Sequence, residues 1–148
     1  MPLRKNLILT VITFWLLSYL PVCAETFFFE AEDFRIKGDG WKVNSGPMAQ
    51  KASHLTTLWG AGGSVDSLAS ISVTIPVESD YRLHVRYFQT EWRGPFRVSV
   101  LLDGQEIAGK DFDLDMKGAI AKSLSRAPYV WDFLDVHLEV GDYVIQLS

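Results

Sequence analysis

Ser70-Ile71-Ser72-Val73-Thr74-Ile75, Tyr81-Arg82-Leu83-His84-Val85-Arg86-Tyr87 and Phe96-Arg97-Val98-Ser99-Val100-Leu101-Leu102 are the three runs that decide the fold. In each, apolar residues alternate with polar ones, and a period of two puts one row of side chains on a dry face and the other in water. Residues 76–80, opening on Pro76, separate the first run from the second, and a loop-like stretch with Trp92, Gly94 and Pro95 separates the second from the third. Three amphipathic strands in succession make half of an antiparallel sandwich, in which each sheet buries one face.

Downstream, Asp103-Gly104 directly after Leu102 is a two-residue hairpin signal, so residues 105–108 are expected to pair back on the third run and residues 111–114 to continue that edge. The pattern lapses over residues 116–128, where Ala119, Ile120, Ala121 and Leu124 fit either one helical turn or an exposed loop. Alternation returns with Tyr129, Trp131 and Phe133, then Val136, Leu138 and Val140; Gly141-Asp142 turns the chain into a strand of Tyr143, Ile145 and Leu147. That pattern stops at Ser148, so the expectation is an all-β, two-sheet jelly roll lacking its last strand, or a fragment of a longer chain. Upstream, residues 27–34 read as a first strand, apolar at its start and acidic at its end. Gly38-Asp39-Gly40 turns the chain, Trp41 opens a polar segment, residues 44–54 are expected to be irregular and residues 55–59 a short strand, and Gly60-Ala61-Gly62-Gly63 is a second break.

Residues 1–24 have the order of a secretory signal peptide: Arg4 and Lys5, an apolar stretch over residues 7–20, and Val22-Cys23-Ala24 before Glu25. The apolar stretch falls short of the roughly 18 residues that span a bilayer. Removal after Ala24 leaves residues 25–148 as one secreted domain and takes away Cys23, the single cysteine. The expected location is extracellular, periplasmic or at the cell surface, with no permanent membrane span. Of the 14 Lys and Arg, the segment contains Arg4 and Lys5, so the remainder stands against 18 Asp and Glu with a net charge of −6. A basic patch is the footprint of nucleic-acid binding, and this composition excludes it.

The order of several short motifs resembles one family. Glu30-Ala31-Glu32, Ser79-Asp80-Tyr81-Arg82-Leu83-His84-Val85-Arg86-Tyr87, Leu102-Asp103-Gly104, Trp131 ahead of a strand, and Val140-Gly141-Asp142-Tyr143-Val144-Ile145-Gln146-Leu147 together resemble galactose-binding-like jelly-roll carbohydrate-binding modules of the type with an E-A-E first strand. Similar domains are attached to secreted FAD-dependent oxidoreductases and polysaccharide-degrading enzymes. The resemblance implies that Glu30 and Glu32 help hold a structural calcium ion; two residues apart on a strand, their carboxylates would share a face, which suits a hard cation. It also implies a sugar site built from aromatic side chains on loops at one end of the sandwich.

A sugar ring has an apolar face of C–H groups and a rim of hydroxyls, so a flat aromatic ring with a few polar neighbours is the matching chemistry. Trp131 corresponds to the tryptophan that opens the penultimate strand in these modules and is the leading candidate. Trp92 follows, in a loop where Glu91 and Arg93 would orient the sugar through its hydroxyls; Trp41, Trp59 and Tyr129 are further candidates.

Other chemistry is set aside. His54, His84 and His137 are far apart, with no second ligand at zinc spacing. No G-x-S-x-G elbow places a nucleophile. Asp111, Asp113 and Asp115 begin like an EF-hand loop, but Met116 and Lys122 stand where glycine and glutamate are required. The glycines at 60–63 precede a strand rather than a helix and make no dinucleotide fingerprint, so no organic cofactor is expected. The expectation is a non-catalytic carbohydrate-binding module, the N-terminal part of a longer polysaccharide-active enzyme with a C-terminal catalytic domain. Two alternatives stand beside it: a domain that packs on a secreted FAD-dependent oxidoreductase without binding sugar, and a cell-surface protein-interaction module.

Overall fold

The computed structural model describes residues 25–60, 66–88, 95–113 and 129–148. The signal-peptide reading of residues 1–24, the candidates Glu91, Trp92 and Arg93, and the helical turn considered near residue 120 lie outside them.

Nine strands stand among the described residues: β1 (Arg35–Lys37), β2 (Trp41–Asn44), β3 (Thr57–Gly60), β4 (Leu68–Ile75), β5 (Ser79–Tyr87), β6 (Phe96–Leu102), β7 (Gln105–Phe112), β8 (Val130–Leu138) and β9 (Gly141–Leu147). All pairings among them are antiparallel. One sheet runs β1-β4-β9-β6-β7, while β5 pairs with β8 and β2 with β3. Val73, Ile75, Val98, Val100, Phe112, Tyr143 and Ile145 of the five-stranded sheet form the core together with Tyr87 and Leu138 of the β5–β8 pair. Leu83, Val85, Leu134 and Val136 add partly buried cover from the same pair. Two antiparallel layers with a shared apolar interior are a β-sandwich, as the alternation requires.

The three opening runs fall on β4, β5 and β6. The Asp103-Gly104 turn takes φ of 51° and 79° and pairs Leu102 with Gln105. Its return strand runs from Gln105 to Phe112 without a break, reaching into the edge expected over residues 111–114. The last strand, β9, sits between β4 and β6 in the middle of the large sheet.

Three expectations need correction. Residues 27–34 do not form a strand: the Asp33 carboxylate accepts from the Glu30 amide at 2.8 Å and the Asp33 amide donates to the Glu30 carbonyl at 3.1 Å. This closure winds Ala31–Asp33 into a 3-10 turn. Phe27 and Phe29 still pack on the core, and Phe28 between them is 86% exposed. Of the E-A-E carboxylates, Glu30 therefore caps a turn and Glu32 lies within it, and the two do not share the face of a strand.

Residues 44–54 are largely ordered, with 3-10 turns at Pro47–Lys51 and Ser53–Leu55. In β8 the inward row is Val130, Leu134, Val136 and Leu138, while Trp131 and Phe133 belong to the outward row with Asp135 and His137. The aromatic residues before Leu134 therefore do not continue the buried row of Val136 and Leu138.

The sandwich has two distinct ends. At one, the turns at residues 76–78 and 139–140 join strands whose ends pair as Ile75 with Gly141 and Ser79 with Leu138. At the other, Tyr87, Phe96 and Phe112 meet with ring centroids 5.2 to 5.7 Å apart. That aromatic end is also where Tyr87 pairs with Val130, at the start of β8.

Candidate functional site

Trp131 is 64% exposed on the outer face of the β5–β8 pair. It is held there by period two: its strand neighbour Val130 packs on the core, so the next side chain must face water. The register sets Arg86 opposite Trp131, His84 opposite Phe133, Arg82 opposite Asp135 and Asp80 opposite His137. Cross-strand pairs of this kind are the stabilising unit of a two-stranded ribbon.

The rungs also touch diagonally. The Arg86 guanidinium stands 4.9 Å from the Tyr129 ring centroid and 5.9 Å from that of Trp131. His84 lies 6.3 Å from Trp131 edge-on and 6.2 Å from Phe133. The Arg82 guanidinium stands over Phe133, 4.1 Å from its centroid, and gives Nε and Nη2 to Asp135 at 2.6 and 3.0 Å. A fork held by both a carboxylate and a ring is fixed in direction.

From the other layer, the Lys110 ammonium donates to the Asp132 carboxylate at 2.7 Å and to the Phe133 carbonyl at 2.9 Å. It ties β7 to the stretch of β8 that carries the two exposed rings.

Charge is balanced locally along this face. Arg82 holds the Asp135 carboxyl below the usual carboxylate range, and Lys110 with the Phe133 amide does the same to Asp132. The Asp80 and Glu78 carboxylates, which accept from the ring nitrogens of protonated His137 at 2.8 and 3.4 Å, lift the imidazole above its ordinary value. Burial pushes the Tyr129 phenol up, with Arg86 opposing.

Of the residues singled out in the sequence, Trp131 and Tyr129 come together around Arg86. Trp41 does not join them: it is half-buried, with its ring edge-on to Phe96 at 6.2 Å, and extends the aromatic end of the core. Trp59 is 40% exposed on β3, opposite Lys42 of β2. Trp41, Trp59 and Trp131 thus stand on strands and not on loop tips. Arg82, His84, Arg86 and Phe133 complete the face and were not singled out. The signal for the first three was the polar row of β5, but which residue of β8, Phe133 included, faces which of β5 depends on register, and period two alone does not supply it.

Glu30 and Glu32, the pair that the resemblance assigns to calcium, stand at and within the Ala31–Asp33 turn. Glu32 spends its oxygens on the protein itself, accepting from the Thr56 hydroxyl at 2.5 Å with His54 Nδ1 at 3.2 Å, and these partners hold its carboxyl low. Among the described residues no three His, Cys, Asp or Glu side chains are gathered to hold an ion. Nor, among them, is any helix long and apolar enough to cross a membrane.

No protein-family model matches the chain. No curated protein matches it either. Four solved chains do match. One of them, a family 35 carbohydrate binding module from Clostridium thermocellum, superimposes with a TM-score of 0.58 at 19% identity, covering 81% of this chain and 84% of that one. The chain shares the β-sandwich fold of that module.

Proposed function

We propose that this chain binds carbohydrate without catalysing a reaction, and that Trp131 is the ring on which a sugar stacks. The observation that carries the reading is a large indole left 64% exposed on a rigid sheet face beside the Arg86 guanidinium and the Tyr129 ring. Placing that much apolar surface in water forgoes roughly 25 cal/mol for every Å² left unburied, and a site that stacks on a ligand recovers it. The fold supports the same reading, since the similar solved chain is a carbohydrate binding module. Arg86 supplies N–H donors to hydroxyls at the ring's rim. The module would be exported through residues 1–24 and would hold an attached polysaccharide-active enzyme near its substrate, an effective-concentration role for which weak contacts suffice.

Affinity electrophoresis against a panel of soluble polysaccharides tests the reading. At least one polymer is expected to retard the wild type, and Trp131→Ala should migrate freely while melting at the same temperature. A wild type that no polymer retards, or a Trp131→Ala variant retarded equally, overturns it.

A further inference from the structure

We infer that the outer face of β5–β8 takes the interior of an extended, neutral polysaccharide chain laid along the strands, not a chain end. The inference rests on the proposed sugar-binding reading and adds what kind of glycan it concerns. Both strands are nine residues long, so the face runs roughly 30 Å, several times the width of one sugar ring.

Its two halves differ in chemistry but are continuous. Toward the aromatic end lie Tyr129, Arg86 and Trp131; beyond the His84–Phe133 rung, Arg82, Asp135, His137 and Asp80 line a shallow concavity of about 600 Å³. The first half offers flat rings to the C–H faces of sugars. The second offers polar atoms already fixed in place, which reduces the ordering cost of binding.

Two features favour a neutral chain. Arg82 is matched by Asp135, but His137 stands between two carboxylates, Asp80 and Glu78, so the polar half is left with a negative excess that repels an acidic chain and not an uncharged one. Arg82 uses Nε and Nη2 on Asp135, and its Nη1 hydrogens have no protein acceptor among the described residues. A sugar hydroxyl is the uncharged acceptor that fits there. The interior of a chain is favoured because, among the described residues, the face is an open ribbon, whereas recognition of a terminal sugar needs a wall that stops the chain.

Isothermal titration of the purified chain with xylo-, cello- and manno-oligosaccharides, from monomers to hexamers, tests this. In the series that binds, affinity should rise about tenfold or more from monomer to hexamer and then level off. The double variant Arg82→Ala/Asp135→Ala should lose about tenfold on the hexamer while binding the dimer as the wild type does. A monomer bound as tightly as the hexamer, or a hexamer indifferent to the double variant, overturns the inference while leaving sugar binding in place. Absence of binding to every glycan removes the sugar-binding reading itself.

Discussion

Trp131 and Phe112 show how differently two large aromatic side chains serve one sandwich. Phe112 is 0% exposed and stacks on Phe96 with ring centroids 5.4 Å apart. Its replacement by alanine leaves a cavity and should cost about 3–5 kcal/mol of stability in urea denaturation. Trp131→Ala removes little buried contact and should shift the same curve by no more than about 0.5 kcal/mol, the range of ordinary surface substitutions. A loss as large as that of Phe112→Ala would mean that the indole is a packing residue.

His137 belongs to the same scale. Its folded-state pKa is raised by Asp80 and Glu78, so the protonated ring contributes stability that is complete below its unfolded value of about 6.5 and is lost as pH rises through the folded value. The melting difference between wild type and His137→Gln should be larger near pH 5.5 than above about pH 8. Equal differences at the two pH values would contradict the assignment.

At the scale of elements, two glycines separate backbone strain from crowding. Gly104 has φ of 79° and open space where a Cβ would stand, so Gly104→Ala should cost only the left-handed penalty of about 1–2 kcal/mol. Gly38 has φ of 82°, and a Cβ there would lie 2.6 Å from Ser67 Oγ, the acceptor for the Asp39 and Gly40 amides. Gly38→Ala should therefore destabilise more than Gly104→Ala in the same denaturation assay; the reverse order would show that the Ser67 contact is not structural.

The turn at Ala31–Asp33 leads to a third expectation. With Glu32 committed to Thr56 and His54, removal of calcium by a chelator should leave the melting midpoint in place, whereas a shift of several degrees would restore the ion to Glu30 and Glu32. The E-A-E stretch misled because its alternation holds for Phe27 and Phe29, which do face the core. Nothing in that pattern announces that Asp33 closes back on Glu30. The Asp103-Gly104 hairpin was legible because both its residues accept positive φ, a property of the residues themselves.

For the molecule as a whole, periodicity was enough to read the sandwich, because burying one face of each strand leaves few ways to assemble two layers. The site was legible only in part. Trp131 and Tyr129 stood out as large rings beside turn residues, but the partners that make them a platform come from a different strand, and Arg86 meets Trp131 only through a pairing across 45 residues of sequence. Lys110, which reaches from the other layer to Asp132 and the Phe133 carbonyl, is legible only once the layers are stacked.

The central claim is that the outer face of β5–β8 is where glycan meets protein. The most direct measurement is a nitrogen-15 NMR titration with the polysaccharide that retards the chain, following the indole N–H signals. The account predicts that the Trp131 signal moves to saturation while that of Trp41, packed against Phe96, stays in place; a saturating glycan that moves Trp41 and leaves Trp131 untouched would contradict it.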